Sequence, residues 1–160
     1  MADGLLFGTG VLEIQVGVSP LQTLGVLQNV SFTIATSQAE LRGGGSKFPV
    51  KVVTTSKTVS GSAEFAKLDP EVIQAIVGGT ATVTTSTTIA IKDTDPTVEF
   101  KLTLKSPNDG SDMTVVLYRC ISTNFAMAFS NENFMIPSFE FTAMADATGK
   151  VMDVSLPTPA

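Results

Sequence analysis

The 160-residue sequence contains no histidine and no tryptophan, one tyrosine and one cysteine, Cys120. Without histidine, the commonest general base and metal ligand is missing, and no Ser–His–Asp triad can be assembled. A single cysteine excludes an intrachain disulfide framework and any cysteine-rich zinc site. Charge is scarce as well: 16% of residues are charged, against roughly a quarter in ordinary domains. Fifteen acidic and ten basic residues leave a net charge of −5. Tight nucleic-acid affinity is therefore not expected, because counterion release requires a basic face. No apolar run approaches the roughly 18 residues of a membrane helix, so membrane anchoring is not expected. Met1-Ala2-Asp3-Gly4 offers no basic leader, and Leu5-Leu6-Phe7 is too short for a signal core. The expectation is assembly in a cytoplasm. Asn29-Val30-Ser31, a glycosylation sequon by pattern, then reads as chance.

What is present favours sheet. The chain has 21 Thr, 14 Ser and 17 Val, the β-branched and small hydroxyl types that fit a pleated surface. Over 98–105, Val98, Phe100, Leu102 and Leu104 alternate with Glu99, Lys101, Thr103 and Lys105, the period-two signature of a half-buried strand. A second strand over 113–121 follows a turn containing Asp109-Gly110, which predicts a hairpin. Further strands are predicted over 11–18, 26–40, 48–54, 57–65, 80–91, 123–129, 138–144 and 151–156, with Pro157 and Pro159 in a short tail. In 48–54, Phe48, Val50 and Val52 share a side; in 57–65, Val59, Gly61, Ala63 and Phe65 oppose Thr58, Ser60, Ser62 and Glu64. In 80–91, Val83, Ile89 and Ile91 share a face.

One helix interrupts this pattern. Asp69 can cap it, Pro70 suits a first position whose N–H would be orphaned, and Glu71 favours the dipole. Leu68 and Ile73 stand at staple spacing. Val72, Ile73, Ile76 and Val77 form one apolar stripe, and Gly78-Gly79 ends it. Such a short helix holds only if it packs on the sheet.

Chemical motifs are weak. Arg42-Gly43-Gly44-Gly45-Ser46-Lys47 lacks the ending and the following helix of a phosphate loop. Asp93-Thr94-Asp95 and Asn108-Asp109-Gly110-Ser111-Asp112 lack a distal bidentate Glu, and turn chemistry accounts for both. Cys120 lies in an apolar strand and reads as packing. Phe125, Met127, Phe129, Phe134, Phe139 and Phe141 read as core, since no basic residues interleave them for base stacking. No catalytic, cofactor-binding or metal-ligating residue is assigned, and an enzyme is not expected. The Gly-rich stretch 41–47 leaves two readings open: a plain hairpin tip, or a loop that orders only against a neighbour, with Arg42 and Lys47 as its charges.

The order of three segments resembles the tail tube (major tail) proteins of bacteriophages. A Thr/Ser-rich hairpin bears the tip ELRGGGSKFPVKVV (40–53). GSAEFAKLDPEVIQAIVGG (61–79) runs from strand into capped helix. IPSFEFTAMADATGKV (136–151) alternates aromatics before an Ala-Asp turn. Together they cover most of 26–156. The resemblance implies a mainly β, antiparallel sandwich or barrel-like single domain over 1–160, with one short flanking helix and a long β-hairpin. It implies a structural virion protein that forms homohexameric rings stacked into a tube, through which DNA passes during genome ejection. Implied partners are further copies of itself, a tape-measure protein, tail-terminator and baseplate or tail-tip proteins, a sheath if the tail is contractile, and DNA in transient, non-specific passage.

Under that resemblance, residues Glu40, Leu41, Arg42, Gly43, Gly44, Gly45, Ser46 and Lys47 are the candidate inter-ring loop. Ser31, Thr33, Ser60, Ser62 and Glu64 are the candidate lumen face. A hydroxyl-rich wall with few cations would not grip a phosphate backbone, and net −5 per chain makes −30 over six copies. The alternative from another class is a different virion or surface β-module: a capsid decoration protein, an adhesin or a pilus-like subunit.

Overall fold

The computed structural model describes residues 10–25, 27–67, 69–108 and 111–156. The elements are β1 (Val11–Gln15), β2 (Gln22–Leu24), β3 (Leu27–Leu41), β4 (Lys51–Phe65), α1 (Pro70–Val77), β5 (Thr80–Val83), β6 (Thr87–Ala90), β7 (Glu99–Asn108), β8 (Ser111–Ala126), β9 (Ser138–Met144) and β10 (Met152–Ser155). Eight strands form one sheet in the order β2-β1-β7-β8-β9-β4-β3, with β10 also paired to β8; β5 and β6 form a separate hairpin. The pairings are antiparallel. The fold is thus mainly β, antiparallel and sandwich-like, with one short helix.

Alternation sets which side of the sheet is dry. Leu12, Ile14, Phe100, Leu102, Leu104, Val115, Leu117, Val59, Ala63, Phe65, Phe139 and Phe141 are buried together. Phe139 sits at the centre, edge-on to Phe65 at 6.2 Å and to Phe100 at 6.3 Å between ring centroids, the favoured aromatic geometry. Val30 and Phe32 of β3 pack on this core from the far end of the strand order, so the sheet curls over itself. Gly61 permits that closure: a Cβ there would stand 2.3 Å from the Ser31 carbonyl oxygen and 2.7 Å from the Phe141 ring.

The helix spans the predicted residues. The Asp69 side chain accepts from the Glu71 amide at 3.2 Å, and Gly78 ends the helix with φ of 87°, a conformation glycine tolerates. Val72, Ala75 and Ile76 are buried, while Ile73 and Val77 are half-buried. The buried stripe is therefore centred on Ala75, which the sequence reading omitted. Leu68 of the expected staple lies outside the described residues, as do Asp109-Gly110 and the Pro157–Pro159 tail. The 98–121 hairpin is present, closing through the Asn108–Ser111 pair.

Several boundaries differ from expectation. The strands predicted over 48–54 and 57–65 are one, β4, starting at Lys51; Pro49 lacks the N–H needed for a ladder and keeps Phe48 outside it. The strand predicted over 80–91 is a hairpin, turned at Thr84–Ser86 by an amide-to-carbonyl bond of 3.0 Å, and Val83 and Ile91 are exposed. The strand predicted over 123–129 is the end of β8, which stops at Ala126. Met127, Phe129 and Phe134, expected in the core, are exposed at 46%, 81% and 94%. β2 was not anticipated; three residues are too few to show a period.

β9 and β10 are one strand interrupted by a loop. Both pair with the same edge of β8, β9 along Arg119–Ala126 and β10 along Thr114–Leu117. Residues 145–151 loop out between them. The Asp146 carboxylate ties that loop, accepting from the Thr148 amide at 2.8 Å, the Thr148 hydroxyl at 2.7 Å and the Lys150 amide at 3.0 Å. These bonds hold its carboxyl below the usual range, the Thr148 hydroxyl foremost. Next to it, Asp153 accepts from the Tyr118 hydroxyl and from Lys150 Nζ at 2.9 Å, and its carboxyl too is lowered.

Candidate functional site

The face of β3, β4, β9 and β8 opposite the core is a largely polar wall, interrupted on β8 by Ile121 and Ala126. Cross-strand partners share a face, so the register can be followed in rows. One row runs Thr33–Ser60–Thr142–Ile121–Glu99. The next runs Ser31–Ser62–Glu140–Asn124, and the third Asn29–Glu64–Ser138–Ala126. The five residues singled out in the sequence, Ser31, Thr33, Ser60, Ser62 and Glu64, thus lie together. Ser31 and Ser62 join hydroxyls at 3.1 Å. Their alternation partners Val59, Ala63 and Phe65 are buried.

The structure adds Ser138, Glu140 and Thr142 from β9, Asn124 from β8 and Glu99 from β7. The register of β9 against β4 spans some eighty residues of sequence, and Asn124 and Glu99 join the wall only through β9 and β8 in turn, so none of this is visible locally. The wall holds three carboxylates, Glu64, Glu99 and Glu140. Arg119, on the same face opposite Met144, is a cation held to Glu99 through two nitrogens at 2.8 and 2.7 Å. That pairing, chiefly its hydrogen bonds, lowers the Glu99 carboxyl and raises the Arg119 guanidinium. The chemistry is that of a hydrated surface without an unengaged arginine.

The second candidate is the distal half of the β3–β4 hairpin. β9 accompanies β4 only along Val59–Glu64; beyond it, both strands have both faces exposed. A bulge between Ser37 and Gln38 breaks the register midway, adding local twist. At the tip, Glu40, Leu41, Arg42, Gly43, Gly44, Gly45, Ser46 and Lys47 are all exposed. The tip carries its own bonds: the Val50 amide donates to the Leu41 carbonyl at 2.7 Å, and the Ser46 amide to that of Gly43 at 3.2 Å. Arg42 turns inward. It donates to Glu40 at 2.8 and 3.2 Å and to the Lys47 carbonyl at 3.3 Å. Arg42 is therefore engaged within its own loop. The surface that the sequence reading missed is apolar: Leu41, Phe48 and Val50 are exposed at 62%, 79% and 69%.

Cys120 is fully buried, and burial pushes its thiol up to about 12, so it packs as an inert apolar group. Among the described residues, no group of three or more Cys, Asp or Glu could hold a metal ion, and no helix is long and apolar enough to cross a membrane.

No protein-family model matches the sequence, and no curated protein matches it. Solved structures do match the fold. A chain of the tail of an empty gene transfer agent (GTA) particle, refined helically with C6 symmetry, superposes with a TM-score of 0.57 at 11% identity, covering 94% of this chain and 96% of that one. A chain of the native GTA virion gives 0.55 at 10%, covering 91% and 95%. A chain of the six-fold symmetrised anti-feeding prophage baseplate gives 0.55 at 12%, covering 97% and 96%. At such identities what is shared is the fold, which extends over nearly the whole of each chain.

Proposed function

We propose that this protein is a structural, non-catalytic subunit of a phage-type tail tube. Six copies close into a ring, rings stack, and the β8-β9-β4-β3 wall faces a channel for DNA. The observation that carries the reading is that wall: three rows made mostly of hydroxyls, amides and carboxylates, with Ile121 and Ala126 among them, on the side of the sheet away from the core. The fold likeness to chains of a tail and a baseplate particle, both six-fold symmetric, supports the setting.

Magnitudes agree. β3 ends the strand order, and an exposed edge is a liability unless a neighbour covers it. The far edge of β8 is taken by β7 as far as the Glu99–Ile121 pair, so a neighbour's β3 can meet it only along 122–126; counting four wall strands in each of six copies gives a circle of about 24 strands. At a spacing of about 4.8 Å and a tilt of about 40°, its backbone circle is roughly 48 Å across. With inner side chains subtracted, the opening still exceeds the width of a DNA duplex. Carboxylates on that surface repel phosphate, and the Arg119–Glu99 pairing leaves no arginine there to retain it.

In this account the hairpin tip, 40–47, makes the inter-ring contact. Tape-measure, terminator and baseplate or tip proteins, and a sheath in a contractile tail, are the further partners. The protein assembles in the host cytoplasm and resides in the virion. The test is electron microscopy of the purified protein over a concentration series. Hollow tubes or six-membered rings support the reading; discrete particles at every concentration refute it and favour a capsid-decoration or adhesin module.

A further inference from the structure

We propose that the apolar hairpin tip of one copy docks on the β8–β9 connection, residues 127–136, of a second copy, joining subunits head to tail. The inference rests on the tube reading and names the receiving surface.

Two apolar patches lie exposed at opposite ends of the same part of the sheet. The first is the tip, with Leu41, Phe48 and Val50. The second is the connection, where Phe129 is 81% exposed, Phe134 94% and Ile136 41%. Register fixes their separation. β4 begins at Lys51, beside the tip, and ends at Phe65; its Glu64 pairs with Ser138, which also pairs with Ala126. The connection therefore leaves the sheet at the Phe65 end. Some 14 residues of extended strand, roughly 45 Å, lie between the patches. The tip of a chain thus cannot cover its own connection, whereas a second copy placed end to end with it would bring its tip there.

Chemistry matches on both sides. Aromatic and branched side chains meet aromatic ones, and phenylalanine pairs gain beyond their buried area. Charge is complementary: Arg42 is held by Glu40, so the tip presents Lys47, while the connection contains one charged residue, Glu132. Different patches on the two partners make the contact heterologous, and such contacts close into rings or propagate into open polymers rather than ending as two-fold dimers.

The experiment introduces Phe48→Cys and Phe134→Cys, singly and together, leaving the buried Cys120 in place, and oxidises each at assembling concentration. Both positions are exposed, so the fold should tolerate them. The double variant should give a ladder of disulfide-linked multimers, and each single variant should stay monomeric on a non-reducing gel. A dimer from Phe48→Cys alone would mean that tips meet each other and would overturn the proposal. So would a ladder obtained instead with Phe48→Cys and Gln74→Cys, which would move the receiving site to the groove of about 640 Å³ beside α1. Microscopy of the same samples separates the two readings. Tubes without the Phe48–Phe134 ladder leave the tube reading standing and overturn this one. A ladder without hollow tubes upholds head-to-tail docking and removes the tube. As an independent check, Phe134→Ser should raise the critical assembly concentration roughly tenfold or more, as expected for losing one buried aromatic; an unchanged value contradicts the contact.

Discussion

Arg119 and Glu99 form a two-pronged ion pair on the polar wall, Nε to Oε2 at 2.8 Å and Nη2 to Oε1 at 2.7 Å. Each is close to half exposed, so the pair adds little to stability. Its consequence lies in what it withholds: a planar, bidentate guanidinium that would otherwise suit phosphate. If the wall lines a DNA channel, free cations there should impede passage. Ser60→Lys with Ser62→Lys should leave circular dichroism and melting temperature nearly unchanged, since Ser60 is exposed and Ser62 half-buried on that side. Genome ejection should slow, more so at low salt. Ejection at the wild-type rate from particles carrying both lysines contradicts a lumenal position.

Acid should loosen the β9–β10 loop. Asp146 and Asp153 have folded-state carboxyls held below their ordinary values. A depressed carboxyl adds stability that is complete above its unfolded pKa and is lost as pH falls through the folded one. Wild type should therefore lose stability as pH drops below the ordinary carboxylate range. Asp146→Asn, lacking one of these groups, should lose less. Urea midpoints at stepped pH measure both slopes, and parallel slopes contradict the role given to Asp146.

The helix should matter through Ile76, which is 2% exposed and packs in the core with Val72 and Ala75. Ile76→Ala should cost about 2–4 kcal/mol. A melting temperature equal to that of wild type contradicts the packing.

The tip should matter to assembly and not to folding. Deleting Gly43 to Gly45 removes exposed residues whose added Cβ atoms would meet nothing within 4 Å. The monomer should fold as before, while the repositioned Phe48 should stack poorly on a neighbour. Sedimentation of both proteins under assembling conditions is the measure; equal pelleting would make the loop a plain hairpin end.

Alternation and capping carried much of the fold into view. Phe139 and Phe141 are buried with Glu140 exposed between them, and Asp69-Pro70 opens the helix where the local chemistry demands. Ser31, Thr33, Ser60, Ser62 and Glu64 were legible as one polar face because each belongs to a strand with a strict period. Glu99, Asn124, Glu140 and Thr142 were not joined to them, because register between distant strands is set by packing and by bulges such as those near Leu102 and Asn124. Phe129 was misread as core because the strand was carried past Ala126, where β8 ends, and Phe134 because residue type alone does not tell a loop phenylalanine from a buried one. Arg42 looked available to a partner because its bond to Glu40, two residues away, depends on the turn between them.

Cryo-electron microscopy of assembled protein at side-chain resolution decides whether the wall of β8, β9, β4 and β3 faces a channel. Six-fold tubes should form with Ser31, Thr33, Ser60, Ser62, Glu64 and Glu140 pointing into the lumen. Tubes with these side chains on the outer surface, or buried between subunits, would contradict the lumenal position of the wall.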